Sequence, residues 1–155
     1  MKATVLLLKQ HRALERLLTH LGRDKSLRLT LVLQLIEDLL THLSVEDHFF
    51  FCQVSDATGI STEAYRTEQA SVRNAMLQAV FAEADDEAFD RRLGELVAAF
   101  TQHAEGVEHE LVPLVESRIR PDHLEAIGDR MQAFLDAAVR GTRPSSGASH
   151  AHAAQ

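Results

Sequence analysis

Thr41-His42-Leu43-Ser44-Val45-Glu46-Asp47-His48 sets two ionisable side chains into an otherwise apolar helical seam. His42 and Glu46 stand four residues apart, so on a helix they share a face and lie about 6 Å apart along the axis. The seam runs Leu35, Leu39, His42, Glu46, Phe49, in steps of four and three. A bundle helix fills such positions with leucine. A buried carboxylate beside a buried imidazole is costly unless something pairs with it. Two pairings meet that need. One is a metal ion held by nitrogen and oxygen ligands. The other is a His–Glu hydrogen bond at a partly wet bundle end.

The rest of the chain supplies a bundle for this helix to sit in. Its 155 residues suffice for one domain with a real core. Hydrophobic residues make up 45% of it, with 7 Gly and 3 Pro, and no stretch alternates as a β-strand does. That pattern predicts an all-α domain. The formal net charge of -7 opposes non-specific binding to nucleic acid, which needs a positive field facing the phosphates. The single cysteine, Cys52, permits no internal disulfide and suits a reducing compartment. The apolar start, Met1 to Leu8, is too short for a signal-peptide core, and no run of about 18 apolar residues follows. A cytoplasmic protein that does not enter a membrane is expected.

The first helix is read from Lys2 to Leu21, stopped by Gly22, with a seam of Leu7, His11, Leu14, Leu18 and Leu21. His11 occupies a core position there, either as a hydrogen-bonded core histidine or as a ligand. Glu15 lies one turn on. The second helix starts near Asp24 or Ser26 and runs to about Gln53. Its Phe49-Phe50-Phe51 run reads as packing, and Cys52 as a packed small residue. Ser55 to Gly59 reads as a turn. The third helix is expected from Ser61 or Thr62 to Ala84, with Tyr65, Gln69, Val72, Met76 and Val80 inward. Gln69 is polar at core depth and reads as a hydrogen-bond partner for a neighbour. Asp85 and Asp86 cap the fourth helix, which runs to about Arg118. Its seam is Leu93, Leu96, Phe100, His103, Val107, Leu111 and Leu114. Glu108 follows Val107, turned about 100° further round. Pro113 should kink this helix or end its main run. Pro121 opens a short fifth helix, ended by Gly141, that packs outside or at the end of the bundle. Residues 141–155, with His150 and His152, read as a disordered tail beyond a domain of residues 1–140.

These residues together are specific. His11 in Leu-Lys-Gln-His-Arg, His42-x-x-x-Glu46, Glu68-Gln69-Ala70-Ser71-Val72-Arg73, and His103 with Glu108 and Pro113 resemble the hemerythrin-like (HHE cation-binding) family over about residues 1–118. The resemblance implies an up-down antiparallel four-helix bundle, followed here by the fifth helix. It implies a non-heme iron site, with a metal set of His11, His42, Glu46, His103 and Glu108. Gln69 stands where the family has a third-helix histidine, and Val107 where it has a second bridging carboxylate. The expected occupancy is therefore one ion, or an incomplete two-ion site, with zinc or manganese as other candidates for the metal.

Three classes of function follow from that reading. The first is a metal-binding module that senses or binds O2, NO, peroxide or iron. The second is an enzyme breaking down peroxide or reducing NO at the same site. The third is a metal-free bundle whose fifth helix and tail dock a partner or a second copy in a homodimer. No nucleophile constellation and no Gly-rich phosphate loop competes with these.

Overall fold

The computed structural model describes residues 1–82 and 85–142, and of Thr142 only its backbone. Seven α-helices, α1 (Ala3–Arg23), α2 (Arg28–Val45), α3 (Cys52–Thr58), α4 (Glu63–Phe81), α5 (Asp86–Gly106), α6 (Val112–Arg118) and α7 (Pro121–Thr142), form five rods. α2 passes into α3 through a π-helical turn over Glu46–Phe51, and α5 into α6 through another over Val107–Leu111. α1, the α2–α3 rod, α4 and the α5–α6 rod make the up-down bundle. α7 lies against α1 and α2. The all-α expectation is met, and no strand occurs among the described residues.

Local chemistry fixes the rod ends. Asp24 accepts from the Ser26 backbone N–H (3.0 Å) and hydroxyl (2.6 Å), which shapes a single 3-10 turn, so α2 proper starts at Arg28. The second rod extends to Thr58, five residues past the expected Gln53. It ends at Gly59, whose φ of 68° lets its N–H reach Ser55 O (2.9 Å). Asp85 caps α5 by accepting from Ala88 N–H (3.0 Å). α4 is helical to Phe81, and the expected end at Ala84 lies outside the described residues. Arg28 ties the base of α2 to α5. It bonds Asp86, lies 3.7 Å from Asp90, and stacks 4.4 Å over the Phe89 ring.

The fifth helix is not short. It spans 22 residues and continues through Gly141 to Thr142. Its own Leu124, Ile127 and Met131 are buried against the bundle. Gly128 permits this seat, since a Cβ there would stand 2.0 Å from the Met1 carbonyl oxygen. The tail beyond, with His150 and His152, lies outside the described residues.

The wide turns change which residues face inward. His42, Glu46, Phe50 and Val54 are all buried, in steps of four, and so are His103, Val107, Leu111 and Val115. An α-helix drifts about 40° per step of four, so such a line would wind off the core. A π turn carries an extra residue and takes up that drift. Two expectations are corrected by this phase shift. Leu114 is 36% exposed and Val115 takes its place inside. Cys52 is exposed, not packed, and lies 3.5 Å from the Arg66 guanidinium. Pro113 neither ends nor breaks the rod. It sits in the first turn of α6, directly after the wide turn, where a missing N–H costs little.

The core is in two parts. One holds Leu14, Leu18, Leu35, Leu39, Val72, Leu96 and Phe100. The other holds Leu7, Val45, Phe50, Val107, Leu111, Ile127 and Met131. Between them, all four bundle rods contribute a buried polar side chain: His11, His42 with Glu46, Gln69, and His103.

Candidate metal centre

That polar layer begins as four seam positions and ends as one convergent set. His11, His42, Glu46 and His103 each offer a ligand atom, and these atoms lie within 4.8 Å of one another. Four ligands about 2.1 Å from a common ion stand roughly 3–4 Å apart, so a small inward movement closes the set. The three imidazoles pack edge to face, with centroids 4.9 Å (His11–His42), 5.9 Å (His11–His103) and 6.3 Å (His42–His103) apart. Phe100 lies beneath all three, 5.8 to 6.5 Å from their centroids, and helps close that side to water.

The inner atoms lack partners. His11 Nε2, His42 Nε2, His103 Nε2 and Glu46 Oε1 are buried without a hydrogen bond. His103 Nε2 is 2.9 Å from Glu46 Oε2, yet not aligned as a hydrogen bond. Each buried unpaired polar group costs about 1–3 kcal/mol. Several such atoms aimed at one point, all of them nitrogen or carboxylate oxygen, match the donor set of a divalent transition metal. The residues present therefore fit a metal ion.

Two of the three outer nitrogens are attended. Glu108 Oε1 lies 2.8 Å from His11 Nδ1, and Arg12 holds the other Glu108 oxygen at 2.5 Å. Gln10 Oε1 lies 3.3 Å from His42 Nδ1. Glu68 Oε2 lies 3.9 Å from His103 Nδ1, an electrostatic neighbour beyond hydrogen-bond reach, and both atoms are without a hydrogen bond. An acceptor at Nδ1 keeps the proton there and turns Nε2 toward the centre as a lone pair. Gly106 makes room for Glu68, since a Cβ there would stand 3.3 Å from Glu68 Oε2.

The sequence-predicted residues thus separate. His11, His42, Glu46 and His103 come together. Glu108 does not join their inner face but stands behind His11. Val107 is fully buried among apolar side chains. Gln69 donates to Glu46 Oε2 (2.6 Å) and to Leu43 O (3.4 Å), the hydrogen-bonding role expected of it. Two acceptors at one nitrogen also fix the orientation of its amide. Glu15 bonds Arg12 at the surface and not His11. Sequence reading missed the roles of Gln10 and Glu68. Each directly precedes a polar seam residue, a signal that a single-seam reading passes over.

Electrostatics inside the layer pull in opposite directions. Burial drives His42 down to about 3, against the opposing pull of Glu46. Burial also holds His11 below its ordinary value. Burial works the same way on His103, but Glu46 and Glu68 beside it outweigh this and raise it. Burial pushes Glu46 up, yet His103, His42 and His11 together bring it down to about 2. Without an ion the layer thus holds an ionised carboxylate, one imidazole inclined to take a proton, and two that resist it.

The profile described as the Hemerythrin HHE cation binding domain matches residues 2–115 of the chain. No curated protein and no solved structure matches it.

Proposed function

The chain belongs to the hemerythrin HHE cation-binding family, and from that premise we propose that it holds a single iron ion on His11, His42, His103 and Glu46 and uses it to bind or sense O2, NO or peroxide. The unpaired, convergent Nε2 atoms and Glu46 Oε1 carry this reading. Three features favour one ion over two. Gln69 occupies Glu46 Oε2, the oxygen that would otherwise reach a second ion. Val107 offers no carboxylate where the second rod repeats the spacing of the first. Glu108 is engaged by His11 and Arg12.

Three neutral imidazoles and one carboxylate leave a divalent ion with a net positive charge and room in its shell. Such a centre supplies an open position for a small ligand and a metal redox couple. The protein's own residues set the terms. Glu108 and Gln10 orient His11 and His42, Glu68 adds negative charge beside His103, and Phe100 limits water on one side. Against a purely structural bundle stand the unpaired atoms, which a chain without metal would be expected to replace or pair.

Elemental analysis of untagged protein, grown with added iron and purified without oxygen, tests this. About one iron per chain, lost in His42→Ala, is the expected result. Two per chain would overturn the single-ion reading. None under any condition would overturn the metal reading.

A further inference from the structure

The centre is fully buried, so anything that reaches it must pass through the bundle wall. A cavity of about 230 Å³ lies where α1, α2 and α7 meet. Its lining includes His42, one of the four convergent residues, and Gln10, which holds the outer nitrogen of that same imidazole. Leu135 and Ala138 line it from α7, and Glu37 and Asp38 from α2. A second cavity of about 170 Å³, between α1 and the α5–α6 rod, reaches only Glu108, which Arg12 and His11 hold in place.

Resting on the metal reading above, we propose that the cavity under α7 is the access route to the centre, with Gln10 as its inner gate. The cavity abuts the outer side of the His42 ring, where Gln10 meets Nδ1, and the unpartnered Nε2 of the same ring faces the centre, so one side chain separates the cavity from the convergent set. The Gln10–His42 contact, at 3.3 Å, is long for a hydrogen bond, and its side chain can swing away at little cost. Glu37 and Asp38 are both exposed, and among the described residues no lysine or arginine lines the cavity. Two carboxylates at its edge raise the local concentration of a divalent cation and oppose an anion. The aliphatic side chains of Leu14, Leu135 and Ala138 suit a neutral diatomic or peroxide molecule. The route thus admits cations and neutral small molecules, and disfavours anions.

The test is the rate at which the metal-free full-length chain takes up Co2+, followed by stopped-flow through the visible bands of the bound ion. Ala138→Trp fills the cavity from α7, and Ala13→Phe fills it independently from α1. Thr101→Trp fills the opposite cavity as a control. At least tenfold slower uptake in both filled variants is expected, with the same final stoichiometry and melting temperature and a wild-type rate in Thr101→Trp. Glu37→Gln with Asp38→Asn should slow uptake several-fold at low salt and flatten its salt dependence. Wild-type rates in Ala138→Trp and Ala13→Phe, or slow uptake in Thr101→Trp, would overturn the route while leaving the metal reading intact. A wild-type chain that takes up no Co2+ at equilibrium would overturn both.

Discussion

Two stretches of the molecule share a spacing and a backbone device but not a chemistry. His42, Glu46, Phe50 and Val54 descend one rod, and His103, Val107, Leu111 and Val115 descend another, each through its own π turn. In the first, the residue four after the histidine is a buried carboxylate. In the second it is valine, and the carboxylate appears one residue later, at Glu108. That single step of about 100° takes it from the inner face to the far side of His11. The backbone thus offers two equivalent places for a bridging group, and side-chain identity alone makes one a ligand position and the other part of a dry core.

Breaking the comparison from the first rod should have the largest effect. Glu46→Gln removes the one carboxylate that the described residues place on the inner face. Metal affinity is expected to fall by more than the roughly 100-fold typical of an outer-shell change, measured by titration against a competing chelator. Making the rods alike from the other side tests the same idea. Val107→Glu places a charge in the apolar part of the core and should cost about 3–5 kcal/mol in urea unfolding of the chelated protein. Combined with Gln69→His, it should recover much of that loss once iron is added, with two ions per chain. One ion per chain in the double variant would show that the backbone device does not suffice for a second site.

The pH dependence of the metal-free protein comes next. His42 has an ordinary value of 6.5 and a folded value of about 3, so unfolding takes up a proton within that window. His11 acts in the same direction. Stability should therefore fall as pH drops from 6.5 toward 3, and Glu46 adds a further loss between 4.5 and about 2. His103 has the opposite sign. Its raised value favours the fold below 6.5, and that contribution disappears as pH rises through the folded value. Urea midpoints of chelated protein should peak near neutral pH. A midpoint independent of pH between 4 and 7 would contradict the buried neutral state of His42.

Smaller effects sharpen the outer layer. Glu108→Gln keeps the shape but removes the charge behind His11, and a 10- to 100-fold weaker metal affinity is expected. Gly106→Ala should separate stability from binding. It removes a mid-helix glycine, which favours the helix by up to about 1 kcal/mol, while its methyl, 3.3 Å from Glu68 Oε2, shifts that carboxylate beside His103 by a few tenths of an ångström. A melting temperature equal or higher, with metal affinity a few-fold lower, is the expected combination.

Much of this layer was legible because imidazoles and a carboxylate on leucine positions are conspicuous. His11, His42, Glu46, Gln69 and His103 all read correctly as buried from helical period alone. What the period hid was the change of phase. Nothing in Glu46–Phe51 or Val107–Leu111 announces a wide turn except the run of four-residue steps, and that shows only when burial is known. Cys52 and Leu114 were misplaced for that reason. The supporting groups were missed for another. Gln10 and Glu68 lie beside the seam, and their role depends on which neighbouring rod they face, which sequence spacing does not encode.

The layer also bears on how the chain holds together. Residues 11, 42 and 103 lie far apart in sequence and on three different rods. An ion held by all three would bind the folded chain, where they converge, and not the unfolded one, so it would stabilise the fold by mass action. Its loss would then be felt in both halves of the apolar core, which meet at this layer, and by leucines and phenylalanines that never touch it.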